Sequence, residues 1–153
     1  MKILIVSGFL GAGKTSFIKE LIRKTGKKLV IMENEFGETD LDSKELKKVG
    51  ELEILEFMEG CVCCTMKDSF VKSVLAVSQT LDPEYLVIEP TGVGKLGSIL
   101  ESIEKICYEK ISLLKPILIL PPRSFLNNMS SFSDIYLDQI KNAAIILFSK
   151  SEN

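Results

Sequence analysis

Gly8-Phe9-Leu10-Gly11-Ala12-Gly13-Lys14-Thr15 is the stretch that decides the fold of this chain. A glycine, four residues and then Gly-Lys-Thr is the pattern of a P-loop, a turn that wraps phosphate. Glycines let the backbone curl with its N–H groups pointing inward, where side chains would otherwise keep a phosphate out. A helix that begins at Lys14 adds the positive end of its dipole at the same place. Lys14 reaches the β- and γ-phosphates of a bound triphosphate, and the Thr15 hydroxyl is a ligand for Mg²⁺. Gly8, Gly11, Ala12, Gly13 and Ser16 complete the phosphate-binding set. Lys14 itself is expected on the surface of the loop, supporting no core.

The flanks supply the setting that the motif requires. Residues 2–6, Lys-Ile-Leu-Ile-Val, are a short apolar run suited to a buried strand. Over 14–25, Phe17, Ile18, Leu21 and Ile22 fall on one helical face, with Gly26 placed to end the helix. The alternation then continues. Strands are expected over 28–32, 52–57, 85–88, 116–120 and 144–148, and helices over 43–48, 68–80, 96–106 and 134–142. Strands alternating with helices predict an α/β fold: a mostly parallel sheet flanked by helices, the three-layer sandwich of P-loop NTPases. Ligands of such sheets sit at the carboxyl ends of strands. Each unusual stretch here follows a strand: the P-loop, the acidic loop Glu33–Asp42, the cysteines at 61–64, Glu89–Gly92 and Ser149–Glu152.

The composition bounds the rest. At 153 residues, 46% hydrophobic and 26% charged, the chain is one globular domain with enough material for a core. A net charge of −2 offers no basic field to nucleic acid. No apolar run reaches the length of a membrane span, and the N-terminal run breaks at Gly8, short of a signal peptide. Three of the four cysteines lie within four residues, unlike a secreted disulfide framework. A cytoplasmic location is expected. Because the chain has no histidine, a metal site must use thiolates and oxygens, and no imidazole can act as base. Ser149-Lys150-Ser151-Glu152-Asn153 follows a strand where another helix is expected, which suggests that residues 1–153 are the phosphate-binding domain of a longer protein.

Two further stretches carry chemistry. Glu89 closes an apolar strand as a Walker-B-type carboxylate does, and is expected to hold Mg²⁺ through a water. Gly92, three residues on, has no side chain and can offer its N–H to a γ-phosphate. Gly60-Cys61-Val62-Cys63-Cys64 places three sulfurs within reach of one another if Gly60 permits a turn. Three thiolates suit Zn²⁺, Co²⁺ or Cu⁺ and leave a fourth position for a carboxylate, water or partner ligand. Buried small hydrophobes or a redox pair are the alternatives for these cysteines. Cys107 lies on a helical apolar pattern and is expected in the core.

Gly8–Thr15, Glu33–Glu38, Gly60–Cys64 and Glu89–Gly92 together resemble the CobW-type P-loop GTPases, a family of cobalamin-synthesis proteins and metal chaperones. The resemblance runs through nearly the whole chain in the family's order, and Cys-x-Cys-Cys is its most specific mark. It implies that Lys14 and Thr15 bind GTP or GDP with Mg²⁺, and that Glu33–Asp42 form a switch loop. It implies too that Cys61, Cys63 and Cys64 hold Zn²⁺ or Co²⁺, with Glu33 or Glu38 as added ligands. Gln139-Ile140 and Ser149-Lys150 resemble the approach to the family's guanine-reading motif, which gives Lys150 and Glu152 a nucleotide-binding role. Glu152 stands where that motif has Asp, and Leu120-Pro121 where the family has Val-Asp. The family's C-terminal domain has no counterpart in these residues.

The implied activity is a GTPase that passes a metal to a client metalloprotein or a protein of the cobalamin pathway, slow without metal or client, with a homodimer as a further partner and neither nucleic acid nor membrane. The alternatives are a P-loop ATPase or small-molecule kinase with redox or structural cysteines, or a nucleotide-binding regulator without turnover. Arg23 and Arg123 are the only arginines to serve a second phosphate, and Phe9 stands where signature-lysine ATPases have lysine.

Overall fold

A computed structural model describes residues 1–27, 29–33, 53–56 and 67–150. The expected helix over 43–48 and the predicted ligands Glu38, Cys61, Cys63, Cys64 and Glu152 lie outside the described residues. The strands are β1 (Lys2–Gly8), β2 (Val30–Glu33), β3 (Glu53–Glu56), β4 (Tyr85–Glu89), β5 (Ser112–Leu113), β6 (Ile117–Leu120) and β7 (Ile145–Phe148). The helices are α1 (Lys14–Thr25), α2 (Lys67–Thr80), α3 (Leu96–Glu104) and α4 (Pro122–Asn142).

The strands form one sheet in the order β3-β2-β4-β1-β6-β7, with β5 also beside β1. Every pairing is parallel. Parallel strands buried on both faces need apolar side chains at consecutive positions, and the sequence supplies them. Ile3, Ile5, Val30, Met32, Leu86 and Ile88 pack on one face against Phe70, Val74 and Val77 of α2 and Leu96, Ile99 and Ile103 of α3. The intervening residues Val6, Ile31 and Val87, with Ile117 and Ile119, pack on the other face against Ile18 and Ile22 of α1. The period of two thus sorts β1, β2 and β4 between two apolar clusters, and helices cover both faces as expected.

The helix termini follow local chemistry. Gly26 ends α1 in the left-handed conformation, its N–H bonded to the Ile22 carbonyl. On the exposed side of α1, Arg23 forks onto Glu20 at 2.6 and 2.8 Å and holds that carboxyl at a pKa of about 2. Both groups face solvent, so the pair adds little to stability.

Three elements depart from expectation. The helix placed over 134–142 starts at Pro122, where proline is favoured because a first-turn N–H has no intrahelical partner. Its first half is rich in Asn and Ser, weak helix formers that mask it in sequence. Phe125, Met129, Tyr136 and Ile140 hold it to Leu118 and Leu120 of β6, and the two halves meet at Phe132, which has non-helical φ −139° and ψ 43°. β5, too short to carry a periodic signal, pairs Ser112 and Leu113 with Lys2 and Ile3. The helix expected to reach 106 ends at Glu104. Cys107 therefore lies in the turn beyond it, half-buried against the α2–α3 cluster, and burial pushes its thiol pKa up.

Candidate functional site

β1 ends at Gly8, and the chain turns back at once: the Ala12 N–H bonds the Phe9 carbonyl at 3.0 Å. Gly13 caps α1 with φ 96°, a conformation L side chains rarely adopt, and so aims the helix N-terminus at the loop. The first turn of α1 contains no acidic residue, which leaves its positive dipole end available to an anion.

Lys14 is not on the loop surface as expected. Its side chain is 8% exposed, and its Nζ lies 3.7 Å from Glu89 Oε1. The physical reason is register. β4 lies beside β1, with Ile5 opposite Ile88, so Glu89 leaves the sheet next to the start of the P-loop. The Thr15 hydroxyl donates to the same carboxylate, 3.4 and 3.5 Å from its two oxygens. Lys14, Thr15 and Glu89, three of the residues singled out from sequence, therefore converge on one spot.

Gly92 packs closer still. A Cβ at this position would sit 2.4 Å from the Leu10 nitrogen and 2.9 Å from the Phe9 carbonyl carbon. These are backbone atoms that cannot swing aside, so only glycine lets the β4–α3 loop rest on the P-loop. Two residues that follow β7 brace the same loop. The Ser149 hydroxyl donates to the Ala12 carbonyl at 2.6 Å, and Lys150 Nζ donates to the Gly11 carbonyl at 2.7 Å. Glu33 closes β2 and is the register partner of Glu89 on β4 and of Glu56 on β3. Among the described residues, no group of three or more Cys, Asp or Glu could hold a metal ion.

Sequence reasoning missed what α4 contributes. Phe9 of the P-loop packs against Phe132 and Tyr136, with ring centroids 5.2 Å apart in each case. Gln139, 1% exposed, donates through Nε2 to the carbonyls of Gly92 and Gly94 at 3.2 and 3.1 Å. Asp138 Oδ2 accepts the N–H of Gly97 in the first turn of α3 at 3.1 Å. A polar Gln among Ile135, Tyr136 and Ile140, at a position that helical spacing sends inward, was the available signal.

The family described as CobW/HypB/UreG, nucleotide-binding domain, matches residues 2–153. The chain is 34% identical over 151 residues to the zinc chaperone YeiR of Escherichia coli, covering 97% of this chain and 46% of that protein. It is 28% identical over 159 residues to zinc-regulated GTPase metalloprotein activator 1 of Schizosaccharomyces pombe, covering 98% of this chain and 39% of that one. The chain thus spans less than half the length of these two relatives. The crystal structure of hydrogenase maturation factor HypB from Archaeoglobus fulgidus superposes with a TM-score of 0.63 at 14% identity, covering 97% of this chain and 65% of that one. That likeness shows the shared P-loop NTPase fold.

Proposed function

Because this chain belongs to the CobW/HypB/UreG nucleotide-binding domain family, we propose that it binds and hydrolyses GTP and couples this to carrying a transition metal, zinc foremost, to a client metalloprotein. The observation that carries the nucleotide half is the convergence of Lys14, Thr15 and Glu89 at the mouth of the P-loop. There the loop's N–H groups and the α1 dipole receive the triphosphate, and Lys14 is drawn from Glu89 toward the β- and γ-phosphates. Thr15 and Glu89 present hard oxygen donors that fit Mg²⁺, which supplies charge neutralisation to the phosphates when bound. Gly92 offers its N–H to the γ-phosphate, and Lys150 with Glu152 reads guanine through its N1–H and N2 amine.

Cys61, Cys63 and Cys64 are soft thiolates that suit Zn²⁺ and also accept Co²⁺, and the E. coli and S. pombe relatives are a zinc chaperone and a zinc-regulated GTPase. Glu33 or Glu38 fills the fourth position. The client is a metalloprotein or a protein of the cobalamin pathway.

The test is a GTP turnover assay with a zinc competition titration on the same anaerobic protein. We expect slow GTP hydrolysis that ATP does not match. One Zn²⁺ should bind per chain, weakened by serine at any one of the three cysteines, and Co²⁺ should show thiolate charge-transfer absorption that weakens in parallel. No turnover with any nucleotide, or three single serine variants with wild-type metal affinity, would overturn the corresponding half.

A further inference from the structure

Thr91, Gly92, Val93 and Gly94 form a closed turn in which the Gly94 N–H bonds the Thr91 carbonyl at 2.9 Å. One side of this turn rests on Phe9 and Leu10 of the P-loop with no room for a Cβ at Gly92. The other side meets α4, where both contacts of the Gln139 Nε2 are turn carbonyls, those of Gly92 and Gly94. A carboxamide nitrogen has two protons to donate, so this pair commits the whole donor capacity of a fully buried side chain to one turn. Burying an amide is costly unless its hydrogen bonds are made, and the carbonyls would be equally costly to leave bare. The turn and the helix are therefore fixed to each other. Asp138 and Gly97 add a second tie one residue away, and Phe132 and Tyr136 connect the same helix to Phe9.

We propose that Gln139 is a positioning residue for triphosphate recognition: its carboxamide holds the Thr91–Gly94 turn against the P-loop so that the Gly92 N–H is preset for a γ-phosphate. This rests on the GTPase reading above and adds to it a residue and a helix. Both carbonyls held by Gln139 belong to this turn, so α4 helps set its peptide planes. Gln139 touches no phosphate. Its effect falls on the step that distinguishes a triphosphate from a diphosphate, since only the triphosphate has a group for Gly92 to meet. α4 in turn is pulled or released as the turn engages or leaves the γ-phosphate.

The experiment compares the affinity of a non-hydrolysable GTP analogue with that of GDP, alongside GTP turnover and thermal unfolding of nucleotide-free protein. Gln139→Met keeps length and shape and removes both donors. We expect analogue affinity and turnover to fall about 10- to 100-fold, the effect of one to two lost hydrogen bonds, while GDP affinity changes by less than about 3-fold. Gln139→Asn keeps the carboxamide one methylene short. It should lose about 3- to 10-fold in the same ratio, and it decides the matter if the methionine variant does not fold. An equal loss for both nucleotides marks a purely structural role and overturns the proposal, as does an unchanged ratio in a folded variant. Wild-type protein that binds neither nucleotide overturns the GTPase reading and this inference together. Wild-type protein that prefers the analogue, beside variants that keep that preference, overturns this inference alone.

Discussion

Lys14 shows how a single side chain can serve both the fold and the site. An ammonium held 3.7 Å from a carboxylate that is itself 13% exposed offsets a charge that would otherwise be poorly solvated. Lys14→Ala should therefore do two things. Nucleotide titration should show triphosphate affinity falling about 10- to 100-fold, because charge-assisted phosphate contacts disappear. Chemical unfolding should show a loss of about 1–3 kcal/mol, because the partly buried Lys14–Glu89 ion pair is lost. A variant with wild-type nucleotide affinity would remove the P-loop reading. Gly92 makes a sharper case, because its constraint comes from backbone. Gly92→Ala forces a methyl to within 2.4 Å of the Leu10 nitrogen. The β4–α3 loop must then lift off the P-loop, costing about 1–3 kcal/mol as overpacking does. Triphosphate binding should suffer more than diphosphate binding. Equal stability of the alanine variant in a denaturant titration would show that the two loops are not held in contact.

Among the elements, the P-loop unit β1–loop–α1 was legible in sequence, because glycine spacing, an apolar strand and a capped amphipathic helix all point to one answer. The parallel sheet was legible for the same reason: Ile3, Val30, Leu86 and Ile117 each head a run with no polar interruption. α4 was only half legible. Asn127, Asn128, Ser130 and Ser131 have poor helix propensity, and tertiary packing on Leu118 and Leu120 overrides it. The burial of Lys14 was also hidden, since a lysine's partner across the sheet depends on register that no local pattern reports. Tyr136 is the element-scale test of what holds α4. It packs on Phe9 and Phe125, and its hydroxyl accepts a 2.8 Å bond from Asn128 Nδ2 across the kink at Phe132. Tyr136→Phe should cost about 1 kcal/mol, one hydrogen bond, and Tyr136→Ala about 3–5 kcal/mol, as for other buried aromatics. Thermal unfolding would measure both. If the alanine variant is no less stable than the phenylalanine one, the rings do not anchor the helix.

Across the whole molecule, the sheet carries the proposed chemistry along a single row. Glu89 touches Lys14 and Thr15, and Glu33 stands opposite Glu89 in the β2–β4 register. Glu33, where β2 ends and the acidic stretch of the sequence begins, thus lies one strand away from the carboxylate proposed to face the phosphates. We expect a change at Glu89 on binding triphosphate and Mg²⁺ to be transmitted to the root of that stretch. A metal carrier needs such a link, because its grip on the metal must change with nucleotide state. If the triphosphate state draws Glu33 or Glu38 to the fourth position beside Cys61, Cys63 and Cys64, hydrolysis removes a ligand and loosens the metal. Couplings of this kind are commonly worth about 1–3 kcal/mol, or roughly 5- to 150-fold in affinity, and must be reciprocal. Zn²⁺ should therefore bind more tightly with a non-hydrolysable GTP analogue than with GDP, and Zn²⁺ should tighten the analogue by the same factor. Glu33→Ala or Glu38→Ala should shrink both factors together while sparing nucleotide affinity in metal-free protein. Competition titrations that return one zinc affinity in both nucleotide states would leave the cysteines without a switch and favour a redox or structural role for them.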